Sequence, residues 1–545
     1  MQRLTLAKRA WLLLFAGICV VYFYGLGELP LVGPDEPRYA QVAREMFERG
    51  DWITPTLNGQ TWFEKPALLY WLMMISYATF GVSEWAARFA PACAGVLTVL
   101  VVGWAARRAE FASGVEMRGF GYVAAAVTAT CAGLMVFSRA ASFDIILTAT
   151  VALALACFFM SELESDARKR RWLAVGFYVG IGLSLLAKGL VGVVLPLDVV
   201  VAYAMLRRRA TRGVRAATLV WGTVVALAVA ATWYAPVLAR HGWSFVDEFF
   251  VQHHFARYVS NKYKHPQPFY FYVPIAALLA LPWTAFLVAG VGSAWRANWR
   301  AEDAASKLRV FALVWLVVPV AFFSLSASKL PGYILPALPG AALLAGERLA
   351  RYVRGEGGVG AMRATGVLVL AGACGTVYAI MSGMATLACG LAIGVPVVLA
   401  GTVALLWSQM RGLCAGLIVA TAFVVVLLIT VCGLERVGGR ESVRELFARA
   451  AARGYTSAPV FQLHTVERTA EFYAARRLAY DEQGEPLKFE GAFQVAERAQ
   501  AHQGAVLVLV PVKWVSQLTE EPSLQTEVIA DNGRLALVAA QTKQR

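Results

Sequence analysis

V-G-P-D-E-P-R-Y-A-Q-V-A-R-E-M-F-E-R-G-D-W-I-T-P-T-L-N-G-Q-T-W-F-E-K-P-A-L-L-Y-W, from Val32 to Trp71, is where an otherwise apolar chain turns charged. Asp35, Glu36 and Arg38 stand together at its start, and Glu64-Lys65 stands before a proline near its end. Asp35 with Pro37 reads as a helix start, because Asp accepts bonds from unpaired backbone N–H groups and Pro is tolerated in the first turn. Tyr39, Val42, Ala43, Met46 and Phe47 fall on one helical face, with Gln41, Arg44, Glu45 and Glu48 opposite, the pattern of a helix lying on a membrane surface. Gly50-Asp51 ends this helix and Asn58-Gly59 marks a tight turn. Lys65-Pro66 then opens a second helix whose apolar run to Phe80 is short for a bilayer span.

The rest of the chain explains why such a stretch needs a membrane. Of 545 residues, 59% are hydrophobic and 16% charged, with a mean hydropathy of +0.58, which points to repeated membrane spans. A net charge of +15 in a soluble chain would suggest nucleic acid, but here Lys and Arg collect in short loops between apolar runs and report topology. Nucleic-acid binding is therefore not expected. All eight cysteines lie in or at the ends of apolar segments, where thiols act as small hydrophobes, so no disulfide framework is expected. Arg3, Lys8 and Arg9 before Trp11 resemble a signal peptide without a small-x-small cleavage site, so this segment is read as a retained first span.

Apolar runs near 11–26, 84–106, 119–137, 144–161, 172–187, 189–206, 217–237, 269–292, 310–325, 332–347, 364–382, 385–407 and 412–432 predict about 13 transmembrane helices. Every second connection is basic, from Arg107-Arg108 through Arg168–Arg171, Arg207–Arg215, Arg296–Arg309 and Arg348–Arg363 to Arg411, which predicts a cytoplasmic N-terminus. The remaining connections then face outward. They carry the 27–83 stretch, Asp144, Lys188, the segment with His241, His253, His254 and His265, and the loop S-A-S-K-L-P-G-Y with Lys329 and Tyr333. After Cys432 the chain becomes soluble-like. A helical pattern at Val443, Leu446, Phe447 and Ala450 and strand-like runs at 458–463, 505–510 and 535–540 predict a small α/β domain. The expected division is 1–437, a transmembrane domain, and 438–545, a soluble domain on the outer side.

Each candidate residue has more than one reading. Asp35-Glu36 is either a helix cap or a functional acidic pair, and charge at a membrane boundary needs a partner or a task. Lys65, Arg257 and Lys329 either snorkel to headgroups or converge on a phosphate. Glu64 and the histidines either hold a metal, as imidazole and carboxylate ligands of zinc do, or hydrogen-bond within loops. Asp144, after Arg139, is either a cap, an arginine partner or functional. Gly355-x-Gly357-x-x-Gly360 matches a dinucleotide fingerprint but follows a span in a basic loop without the required strand, and chance explains it better. Gly176-x-x-x-Gly180 reads as close helix packing. A soluble nucleotide-sugar donor fits an outward-facing site poorly. A lipid or sugar transporter would instead show repeated halves and charges near the midplane, and neither stands out.

The series G-P-D-E-P-R-Y, W-F-E-K-P-A-L-L-Y-W, L-L-A-K-G-L-V-G, H-H-F-A-R-Y…H-P-Q-P-F-Y-F-Y and S-K-L-P-G-Y-I-L-P-A-L-P is similar to the bacterial lipid A 4-amino-4-deoxy-L-arabinose transferases, within the GT-C glycosyltransferases that include protein O-mannosyltransferases. It covers roughly residues 1 to 350. The resemblance implies an α-helical polytopic membrane protein of GT-C type with interfacial helices in its outer loops, transferring the sugar by inversion. It further implies an undecaprenyl phosphate-sugar donor, a lipid A phosphate acceptor and a site on the periplasmic face of the inner membrane. By motif match, Asp35 is the catalytic carboxylate; Asp144, on its functional reading, is the second catalytic candidate. Lys65, Arg257 and Tyr333 take the donor phosphate, with Arg38, Lys188 and Lys329 as second choices. Glu64, His254 and His265 match loop positions that hold a structural divalent metal such as zinc, and no cofactor is expected for the chemistry. A monomer is expected. His253 departs from the pattern, and the C-terminal domain has no motif to transfer. The same scaffold with a protein hydroxyl as acceptor is the alternative.

Overall fold

The computed structural model describes residues 2–249, 267–432, 434–481, 484–502 and 504–543. The chain divides into two compact units. One comprises 1–26, 63–72 and 88–429, and the other 27–62, 73–87 and 430–545.

The first unit is helical. Eight helices among the described residues are long and apolar enough to cross a membrane: Glu84–Met117, Phe143–Leu163, Ala167–Lys188, Ala217–His241, Ala304–Ser324, Val359–Met381, Leu387–Leu406 and Arg411–Cys432. Two bent pairs, Phe120–Thr130 with Ala132–Ser138 (59°) and Tyr272–Leu279 with Thr284–Trp295 (116°), raise the number to ten if each pair is one span. The protein is thus a multi-pass membrane chain. The first apolar run lies in the helix Gln2–Phe23, of 22 residues. Two runs read as spans take other forms: Val191–Arg207 is a helix of 17 residues, and 332–347 is split between a 3₁₀ turn, Pro331–Ala337, and the helix Leu338–Arg354. Prolines at 331, 336 and 339 withhold backbone donors there, which accounts for the break. Gly355, with φ of 99°, caps that last helix at its C-terminus, so the dinucleotide-like glycines have no strand before them.

Phe143–Leu163 and Ala167–Lys188 form a hairpin because only three residues join them. Glycine lets their backbones approach. A Cβ at Gly180 would lie 2.8 Å from the Ala154 Cα, and one at Gly176 would lie 2.8 Å from the Cys157 Sγ. This is the close packing expected of Gly176-x-x-x-Gly180. An antiparallel hairpin of nearly equal arms brings the first turn of one helix beside the last turn of the other. Asp144 and Lys188 therefore meet.

In the second unit the helix Asp35–Arg49 is stopped by Gly50 in the left-handed conformation, φ 64°, whose N–H reaches Met46 O and Phe47 O. Strands β1 (Thr56–Leu57) and β2 (Gln60–Thr61) pair antiparallel across Asn58 and Gly59, whose φ values of 52° and 79° suit a tight hairpin turn. The amphipathic reading of this helix needs correction. Gln41 and Glu45, assigned to the polar outer face, are buried. Glu45 accepts bonds from Asn58 N (2.7 Å), Gly59 N (3.0 Å), Thr56 Oγ1 (2.7 Å) and Gln41 Nε2 (3.1 Å), so this part of the polar face holds the hairpin, while Arg44 and Glu48 pair with each other.

Beyond residue 430 this unit contains a five-stranded sheet of order β4-β3-β5-β7-β6, with β3 Val460–Leu463, β4 Lys488–Phe489, β5 Val506–Pro511, β6 Leu524–Asp531 and β7 Leu535–Thr542. Strands β4, β3 and β5 are parallel, and β5, β7 and β6 are antiparallel. Alternate residues face two cores. Leu507, Leu509 and Leu537 pack with Leu446, Phe447 and Ala470, while Val506, Val508 and Val538 pack with Val495, Ala499 and Leu518. Burial on both faces explains why β5 is an unbroken apolar run.

Candidate functional site

In the helical unit the site residues are placed by the hairpin just described. Ser142 Oγ accepts the Asp144 N–H, starting one helix, and Lys188 lies in the last turn of the other. Each charge complements its helix dipole, and the Lys188 ammonium is bonded to the Asp144 carboxylate. Tyr333 lies against Lys188, its ring centre 4.6 Å from the ammonium nitrogen, a cation–π contact. Gly332 makes this possible: a Cβ there would meet Asp144 Oδ2 at 2.5 Å and the Phe137 ring at 2.7 Å. The loop carrying Tyr333 is held by the Tyr272 hydroxyl, which donates to Leu330 O (3.2 Å), and by Lys329 Nζ, which donates to Ser326 O (2.6 Å). Lys329 is buried.

Lys65 and Glu64 form a second pair in the same unit, 2.7 Å apart and both buried. The Glu248 carboxylate accepts the Phe63 N–H (3.2 Å), and the Phe63 ring packs edge-on to His241 and Phe245. Burial, with Asp247 beside it, pushes the Glu248 carboxyl above the usual range. Glu248 was missed by sequence reasoning, although its place in V-D-E-F-F next to the histidine-bearing segment was a usable signal.

Asp35 and Arg38 fall in the other unit. Asp35 is exposed in the first turn of its helix, where Glu36 takes the Val32 N–H (3.2 Å). Arg38 has its guanidinium 5.4 Å from the Trp62 ring centre and 3.8 Å from Glu471. Sequence reasoning gave no signal for that last pair.

Arg257, His254 and His265 lie outside the described residues, as does His253. No group of three or more His, Cys, Asp or Glu suited to a metal occurs among the described residues. Of the suggested ligands only Glu64 is described, and its carboxylate faces Lys65.

The helical unit offers the Lys188 ammonium beside Tyr333 for an anion, with Lys65 and Lys329 as further cations, and the second unit by itself offers the exposed Asp35 carboxylate. Comparison with known proteins gives it a setting. An undecaprenyl phosphate-alpha-4-amino-4-deoxy-L-arabinose arabinosyl transferase of Pseudomonas aeruginosa (strain UCBPP-PA14) is 32% identical over 374 residues, covering 67% of this chain and 63% of that relative. Its counterpart in Pseudomonas savastanoi pv. phaseolicola is 34% identical over 365 residues, 65% of this chain and 64% of that one. The matches thus span somewhat less than two thirds of those relatives. The crystal structure of ArnT from Cupriavidus metallidurans bound to undecaprenyl phosphate has a TM-score of 0.75 and 27% identity, covering 97% of both chains. The family profile described as dolichyl-phosphate-mannose-protein mannosyltransferase matches residues 9–298, more than half of the sequence. The chain belongs to that family.

Proposed function

We propose that the protein transfers 4-amino-4-deoxy-L-arabinose from undecaprenyl phosphate to a phosphate of lipid A at the periplasmic face of the bacterial inner membrane. The observation that carries this reading is the near-complete structural likeness to an ArnT crystallised with undecaprenyl phosphate, together with the Lys188 ammonium held between Asp144 and Tyr333. The names of the arabinosyl transferase relatives support the sugar.

In this reading the acceptor phosphate oxygen attacks the anomeric carbon as the bond to the donor phosphate breaks, with inversion. The electron pair leaves on undecaprenyl phosphate, and cations placed where that charge develops lower the barrier. Lys65, Lys188 and Lys329 take this role, with Arg257 joining them and the Tyr333 hydroxyl as a neutral hydrogen-bond donor. Asp144 holds Lys188 for it. The acceptor is already an anion, so Asp35 is assigned to orienting the acceptor or the sugar amine more than to removing a proton. The thirteen-span topology, the cytoplasmic N-terminus, the soluble domain from 438 onward on the outer side and a monomeric state complete the proposal. So does a structural divalent ion held by Glu64, His254 and His265, for which metal analysis of the purified protein is the test. Transfer to a protein hydroxyl is the second reading, favoured by the family profile, and there Asp35 would have to act as base.

Mass spectrometry of lipid A decides between them. A transferase-null Gram-negative strain that makes the donor is complemented with this chain. An aminoarabinose mass increment is the expected result. Unchanged lipid A with glycosylated protein would move the acceptor to a hydroxyl, and neither product would sink the transferase reading.

A further inference from the structure

The second unit joins residues from the two ends of the sequence. The helix Asp35–Arg49 packs against the one-turn helix Ala470–Tyr473. Between them Glu471, with a fully buried side chain, lies 3.8 Å from Arg38 Nε and 2.9 Å from Arg468 Nη1. Arg468 is shared, because it also pairs with Glu485. Without Arg38 the group would hold two carboxylates and one guanidinium. A buried carboxylate without a full complement of positive charge is costly, so Arg38 completes the balance. Burial pushes the Glu471 carboxyl above the usual range, and Arg38 is the strongest of the groups opposing that push.

Other contacts hold the same stretch. Arg476 pairs with Glu48 at 3.0 Å, near the far end of the helix. The Tyr473 hydroxyl accepts the Leu31 N–H (2.9 Å), and Arg444 donates to Gly27 O (3.1 Å) and Glu28 O (3.2 Å). Arg38 lies one helical turn from Asp35, so whatever fixes the Arg38 guanidinium also fixes the turn that presents Asp35.

We infer that Glu471 is a positioning residue for transfer: through Arg38 it holds the first turn of the Asp35–Arg49 helix against the C-terminal sheet, making that region part of the catalytic apparatus. This deepens the transferase reading and rests on it for its kinetic half. The physical half stands alone.

The test uses the full-length chain in membranes at matched levels, with Arg38→Met, Glu471→Gln and the double variant, assayed with undecaprenyl phosphate-aminoarabinose and lipid A. Each single variant is expected to lose 10-fold or more in kcat with less than a 3-fold change in donor KM. The double variant is expected to stay within 3-fold of the worse single, since both break one link. Losses that multiply, or full activity in Glu471→Gln, would overturn the inference. Glu490→Gln, on the exposed rim of the sheet, serves as the control expected to match wild type. Hydrogen exchange in the purified variants reads the link without any substrate. Glu471→Gln is expected to speed exchange of the 35–49 amides at least 10-fold relative to the β5 amides, and unchanged protection would refute the link even if transfer were never observed. Faster exchange in a chain whose wild type transfers nothing would keep the link and refute the transferase reading. If Glu471→Gln does not accumulate, Glu471→Asp, which keeps the charge and shortens the reach, is put through the same two measurements with the same criteria.

Discussion

Asp144 with Lys188 and Glu471 with Arg38 are both acid–base pairs drawn out of water, yet they arise in opposite ways. The first joins the two ends of one helical hairpin, so packing of Gly176 and Gly180 against the preceding helix is enough to make it. The second joins the start of the chain to its last hundred residues and forms only when both are present and folded. A pair made by local packing survives damage elsewhere, whereas a pair made across the sequence reports on the whole unit.

The contrast breaks most sharply at Lys188. Replacing it by Ala leaves Asp144 without that ammonium and takes away a proposed phosphate ligand, so kcat/KM for transfer should fall by on the order of 1,000-fold, about 4 kcal/mol. A loss under tenfold, measured with matched protein levels, would remove the hairpin pair from the site. Gly180→Val comes next. Its added carbons run into Ala154, and overpacking of this kind costs roughly 1–3 kcal/mol, which should lower the thermal midpoint and weaken transfer together. If activity falls without any change in midpoint, the hairpin is not what holds the pair.

How far the sequence could be read divides along the same line. The close approach of Gly176 and Gly180, the Asn58-Gly59 turn and the strands within 458–463, 505–510 and 535–540 were legible because spacing and turn chemistry act over a few residues. Asp144 meeting Lys188 could have been read from helix lengths and a three-residue connection. Glu45 could not, since its place on the polar face of an amphipathic helix suggested solvent, and only the hairpin that folds back over it supplies the donors. Glu471 was less legible still: no periodicity links position 38 to position 471. Among the described residues eight to ten helices meet the length and apolarity of a span, and the run at 332–347 shows what apolarity alone does not reveal, namely where prolines split a helix.

Two smaller effects sharpen the picture on the second unit. Glu45→Gln keeps the shape but turns an acceptor into a donor facing backbone N–H groups, at a cost of about 1–3 kcal/mol. Exchange at 56–61 should quicken while the sheet strands keep their protection, and uniform change across the unit would contradict a local role. The least effect is on pH. Glu471 titrates higher when folded than its ordinary value of 4.5, so the folded state binds the extra proton. Its contribution is therefore most favourable below that value and declines as pH rises through the shifted range, by at most about 1.4 kcal/mol per unit. Protection of the 468–473 amides followed against pH in the full chain should show that decline, and Glu471→Gln should remove it.

The split composition of the second unit has a consequence in time. During synthesis the Asp35 loop emerges early, while Glu471 follows after more than 400 further residues, a wait of roughly 20–90 s at ordinary elongation rates. Until then the helix lacks the partner that seats it. A nascent or prematurely terminated chain would carry every lysine of the helical unit and still lack the partner of Arg38, so under the proposed transferase reading the arrangement would act as a delay on unfinished copies.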